Sequence, residues 1–124
     1  MKTNVVKDKT YTFALRIVQL TRQLREQKEF ELAGQVLRAG TSIGANVEEA
    51  LAGISRADFI AKMSIASKEA RESHYWLRIL RDSKIVASKE IDSMIEDSEE
   101  ILRLLTSIVK TSQSAQNSKL RIKN

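Results

Sequence analysis

The chain contains no proline and only four glycines in 124 residues, so little in it can break a helix or punctuate a strand-and-turn layout. Apolar residues recur at helical spacing in four blocks, which predicts an all-α fold. A first helix is expected from Lys9 to about Glu26. Phe13, Ile17, Leu20 and Leu24 make its inward row, widened by Tyr11, Ala14, Leu15 and Val18 toward a second contact side. A second is expected from Phe30 to Ala52, ending near Gly53, with Leu32, Val36, Ala39, Ile43, Val47 and Ala50 inward. Its start is the least defined boundary, because Arg25 to Glu31 holds no breaker.

Ser55 has the character of an N-cap, with Asp58 three residues on placing negative charge at the positive helix end. The third helix then reaches Arg81 on a row of Phe59, Met63, Ala66, Ala70, Ser73, Leu77 and Leu80, small in the middle so that a neighbour can approach closely. Ser88 opens a fourth, built on Ile91, Ile95, Ser98, Leu102, Leu105 and Val109, with Met94, Ile101 and Ile108 beside them. Beyond Lys110 the apolar pattern lapses. Residues 1–110 are thus expected to form one antiparallel up-down-up-down four-helix bundle, and 111–124 a basic, polar, flexible tail.

A chain of this size buries about two thirds of its unfolded surface, enough for a core without staples. Cysteine is absent, which excludes disulfides, a thiolate nucleophile and a thiolate metal site, and fits a reducing cytoplasmic setting. Neither a signal-peptide apolar run nor a membrane-length one occurs. A dinuclear carboxylate centre in a bundle needs two Glu-x-x-His pairs, whereas His74 is the one histidine and follows Glu72 by two residues. No nucleophile elbow or glycine-rich phosphate loop is present, and Gly40 and Gly44 mark close helix packing. Neither catalysis nor a metal or other cofactor is expected.

Gln35, Arg38, Ser42, Asn46 and Glu49 follow one another at steps of three or four, a polar stripe along the edge of the apolar face. The run Phe30-x-Leu32-x-x-Gln35-x-x-Arg38-x-x-x-Ser42-Ile43-x-x-Asn46-Val47-x-Glu49, followed by Ser55-Arg56-x-Asp58-Phe59, Ala66 and Glu72, resembles the four-helix bundle proteins encoded in intervening sequences of bacterial 23S ribosomal RNA genes. Two features depart from that pattern: Leu51-Ala52-Gly53 where a glycine commonly follows the glutamate directly, and Glu69 where a small residue is common. The resemblance implies a homo-oligomer, a pentameric ring, with no enzymatic activity. It extends to the accessory proteins of diversity-generating retroelements, which implies nucleic acid and a reverse transcriptase as partners.

For the stripe itself, the favoured reading is a buried or semi-buried network between helices that fixes helix or subunit register, with Glu72 a partner for Arg38 or Asn46. The other has Arg38 and Asn46 facing a groove and touching nucleic acid. Better candidates for that contact lie elsewhere. Residues 1–30 and 55–85 each carry seven basic groups, against three and four acidic ones. Arg16, Arg22 and Arg25 on the first helix, Arg71, Arg78 and Arg81 on the third, and Lys110, Lys119, Arg121 and Lys123 at the end are the expected nucleic-acid-binding set. Tyr75 and Trp76 stand beside that arginine row, and Trp76 is read as a core or intersubunit anchor. Residues 86–109 hold six acidic groups and two basic ones, so the alternative function is an oligomeric protein-interaction scaffold whose acidic fourth helix and exposed aromatics recruit a partner such as a reverse transcriptase or another basic protein.

Overall fold

The computed structural model describes the backbone of residues 1–123 and the side chains of residues 1–120. It has four helices in chain order: α1 (Lys2–Glu26), α2 (Phe30–Leu51), α3 (Arg56–Asp82) and α4 (Ser88–Lys123). Each packs on its sequence neighbours, and α4 closes the square against α1 more loosely than the other seams are closed. This is the up-down-up-down four-helix bundle.

The core follows the expected rows, except that Leu32, Phe59, Leu102 and Val109 lie half-buried at its edge while Ile101 and Ile108 are buried. Phe13, Ile17 and Leu24 of α1 meet Val36, Ile43 and Val47 of α2, then Met63, Leu77 and Leu80 of α3 and Ile91, Ile101 and Leu105 of α4, all closed to solvent. Small residues decide how near the helices come. Ala39, Gly40 and Gly44 on α2 and Ala66, Ala70 and Ser73 on α3 are buried at the seams. A Cβ on Gly44 would stand 3.3 Å from Thr10 Oγ1, so α1 and α2 touch there nearly backbone to backbone. Buried hydroxyls turn back on their own helices: Thr21 donates to the Ile17 carbonyl at 2.8 Å and Ser73 to that of Glu69 at 2.9 Å.

Helix ends follow local chemistry, with one reversal. The Asp58 amide donates to Ser55 Oγ at 3.0 Å, the N-cap read from sequence. Gly53 lies just past α2 but does not adopt positive φ; two lysines do, Lys28 at 64° and Lys84 at 62°. In each case the next residue's amide reaches back to the same helix, Glu29 to the Leu24 carbonyl at 2.8 Å and Ile85 to that of Leu80 at 3.1 Å. Those two bonds, with Lys28 to Arg25 and Lys84 to Arg81, form Schellman closures without glycine.

Two boundaries differ from expectation. α1 begins at Lys2 because Val6 and Thr10 are buried and carry the inward row back by two turns. The fourth helix does not stop at Lys110 but continues to Lys123. No glycine or proline occurs in that stretch, so losing the apolar row removes packing without ending the helix. Lys2 Nζ bonds Ser107 Oγ at 2.8 Å, so the last four turns of α4 run beyond the start of α1.

Candidate nucleic-acid interface

The polar stripe of α2 is a half-exposed ridge at the α2–α3 seam, not a buried layer. Gln35, Arg38 and Glu49 are exposed, while Ser42 and Asn46 are half-covered. Ser42 Oγ donates to the Arg38 carbonyl at 2.6 Å and Asn46 Nδ2 to the Ser42 carbonyl at 2.8 Å, so both groups bond within their own helix. The charged ends cross the seam. Arg38 pairs with Glu72 and with Glu69, the latter at 3.0 Å, and Glu49 lies 3.6 Å from Lys62. Glu72 Oε2 also lies 3.4 Å from the Trp76 indole nitrogen, and that indole packs against the core. Two carboxylates thus neutralise Arg38, and a phosphate would have to displace both.

Cations elsewhere divide into paired and unpaired. Arg16 is tied to Asp97 across the α1–α4 seam, and Lys9 to Glu100 at 2.6 Å. The hydrogen bond and charge of Lys9 hold the Glu100 carboxyl below its ordinary pKa, and Glu100 raises that of Lys9 in return. Arg81 bonds Asp82 at 2.8 Å and approaches Asp92 at 3.7 Å; the first contact lowers the Asp82 pKa. His74 Nε2 sits 3.2 Å from Glu99. Four of the six acidic groups of residues 86–109, Asp92, Asp97, Glu99 and Glu100, are therefore engaged inside the bundle.

Of the sequence-derived set, Arg16 and Arg81 are thus engaged, while Arg22, Arg25, Arg71, Arg78, Lys110 and Lys119 make no ion pair among the described residues. Arg78 stacks over the Tyr75 ring at 5.9 Å. The side chains of Arg121 and Lys123 lie outside those described. Helices α1 and α3 occupy opposite corners of the square, so their arginines do not form one continuous surface. Arg71 and Lys110 do come together, in an α3–α4 groove that Arg103 also lines. Sequence reading missed Arg103 because it lies within the acidic segment 86–109, three residues after Glu100; its spacing of seven from Lys110 was the available signal.

Exposed apolar side chains are spread over the molecule, Phe30 and Ile54 included, and two pairs of them stand on the opposite helices α1 and α3. Tyr11 and Leu15 on α1 are 58% and 53% exposed; Ile65 and Tyr75 on α3 are 41% and 49% exposed. Among the described residues, no three histidine or acidic side chains converge to hold a metal, and no helix is long and apolar enough to cross a membrane.

The model of the 23S rRNA-intervening sequence protein family matches residues 2–107, which span all of α1 to α3 and most of the packed part of α4. The chain belongs to that family. A crystal structure of a protein of unknown function from the S23 ribosomal protein family of Bacteroides thetaiotaomicron is 53% identical, covers 89% of this chain and 99% of its own, and superposes with a TM-score of 0.85. No curated protein matches. The match to the intervening-sequence family stops at residue 107, so the last turns of α4 lie beyond the matched region.

Proposed function

We propose that the protein is a non-enzymatic homo-oligomer of the cytoplasm, a pentameric ring, that binds RNA or DNA through basic surfaces. The observation that carries this reading is charge sorting. With four of six acids in residues 86–109 engaged internally, the +5 net charge falls on cations without carboxylate partners. Ring formation draws support from exposed apolar side chains on two different helices. A ring closes through a heterologous contact, which needs two different surfaces on each subunit, and Tyr11 with Leu15 stand at the corner opposite Ile65 and Tyr75. Copies of one weak basic patch repeated around a ring act together, since each bound site raises the effective concentration at the next.

The same engagement of α4 acids weakens the alternative of an acidic helix recruiting a basic partner, while a reverse transcriptase docking elsewhere on a ring stays compatible with this proposal. The decisive test is retardation of labelled structured RNA and duplex DNA at two salt concentrations, alongside light scattering. Binding at low salt that falls steeply as salt rises, by particles of about five chains, is expected. No retardation at low salt sinks nucleic-acid binding, and a monomer at micromolar concentration sinks the ring.

A further inference from the structure

We infer that the α3–α4 groove containing Arg71, Arg103 and Lys110 is a phosphodiester-binding site, the place where a nucleic-acid backbone seats on each protomer. This rests on the nucleic-acid reading above and narrows it to one surface.

Contacts of the α4 carboxylates run in order: Asp92 meets Arg81, Asp97 meets Arg16, Glu99 meets the His74 ring and Glu100 meets Lys9. There they stop. After Glu100 the chain contains no further acid, yet Arg103 and Lys110 follow on α4, and Arg71 faces them from α3. None of these three makes an ion pair among the described residues. Glu100 feels the charge of Arg103, but its carboxylate is bonded to Lys9. All three cations are exposed, and no acidic residue lines the groove around them.

Hydroxyls complete the lining. Ser64 and Ser67 come from α3 and Thr106 from α4, sharing the groove wall with Arg71 and Lys110. Cations that neutralise phosphates, flanked by short hydroxyl donors, suit a backbone rather than a base edge. Arg103 and Lys110 are two turns apart, about 10 Å along the helix axis, so the groove spans more than one phosphate. Its position on two rigid helices fixes the cations relative to one another.

The test compares two double variants that remove equal charge from the full chain. Arg103→Gln with Lys110→Gln alters the groove; Lys7→Gln with Lys89→Gln alters two exposed cations that belong to no candidate binding set and make no ion pair among the described residues. All four residues are exposed, and circular dichroism and light scattering establish that fold and assembly persist. With a labelled duplex as probe, the groove variant is expected to lose about tenfold or more in affinity at low salt. The slope of log K against log salt should fall by about 0.9 for each lost contact. The control variant is expected to lose less than about twofold. Equal losses in both variants, or none in the groove variant while the unaltered protein binds, overturn the groove and leave the general nucleic-acid reading intact. Absence of binding by the unaltered protein overturns both.

Discussion

Gly40 of α2 lies against the Ile17 side chain of α1 so closely that a Cβ there would stand 2.5 Å from Ile17 Cγ1. Ile17 is fully buried and cannot swing into solvent. Gly40→Ala is therefore expected to destabilise the bundle by about 1–3 kcal/mol from overpacking, partly offset by alanine's helix propensity. Gly34, on the exposed side of the same helix, has open space where a Cβ would go. Gly34→Ala should raise stability by about 0.5–1 kcal/mol. Urea unfolding of both variants checks the pair, and a stabilised Gly40→Ala would refute the close approach.

Lys28 and Lys84 close α1 and α3 in left-handed backbone geometry, which costs a lysine about 1 kcal/mol that glycine avoids. Lys28→Gly and Lys84→Gly are each expected to gain about 0.5 kcal/mol after the greater freedom of glycine in the unfolded chain is counted. Lys28→Val should lose stability. Melting temperatures of the three variants measure this directly.

Arg38→Ala removes the shared cation between Glu69 and Glu72. Because Glu69 is mostly covered, the loss is expected to reach about 1 kcal/mol, the upper end for a surface pair. Nucleic-acid affinity is expected to change by less than twofold, since the two carboxylates already balance this arginine. Asn46→Leu on the same ridge should alter particle size before it alters binding. An unchanged oligomer with lost binding would move the ridge into the ligand site.

Leu15→Glu places a charge in the exposed α1 apolar patch without touching the core. Light scattering is expected to show smaller particles with unchanged helix content, because an unpaired charge at an interface costs more than it does in water. Particles of undiminished size would exclude this corner from the subunit contact.

Acid should loosen the α1–α4 seam first. The Glu100 pKa is lower in the folded chain than in the unfolded one, so its contribution is fully present above the ordinary carboxylate pKa and is lost as pH falls through the depressed value. Lys9→Met removes the hydrogen bond and charge that depress it. That variant is expected to show a flatter fall of stability below the ordinary carboxylate range, measured by urea titration at stepped pH.

Helix identity, inward rows and chain direction were legible because each depends on local spacing. The Phe13, Ile17, Leu24 row, the Ser55 cap and the reversal at Ser88 needed no knowledge of neighbours. The candidate site was legible only as a set of charges. Arg16 and Arg71 read alike along the chain, yet α4 supplies an aspartate to one and two further cations to the other.

By itself, then, the sequence determined four amphipathic helices in antiparallel order, since periodicity and the scarcity of breakers act within a few residues. Tertiary structure decided what those helices do to one another's charges. It exposed Tyr11 and Leu15, which the α1 pattern had suggested as contact residues, and put two lysines rather than a glycine into left-handed turns. It also paired Asp97 and Glu100 with cations of α1 and brought Arg71 beside Arg103 and Lys110. For the charges the reason is that a side chain's partner across a seam is set by the angle and register of two packed helices, and no single helix encodes that geometry.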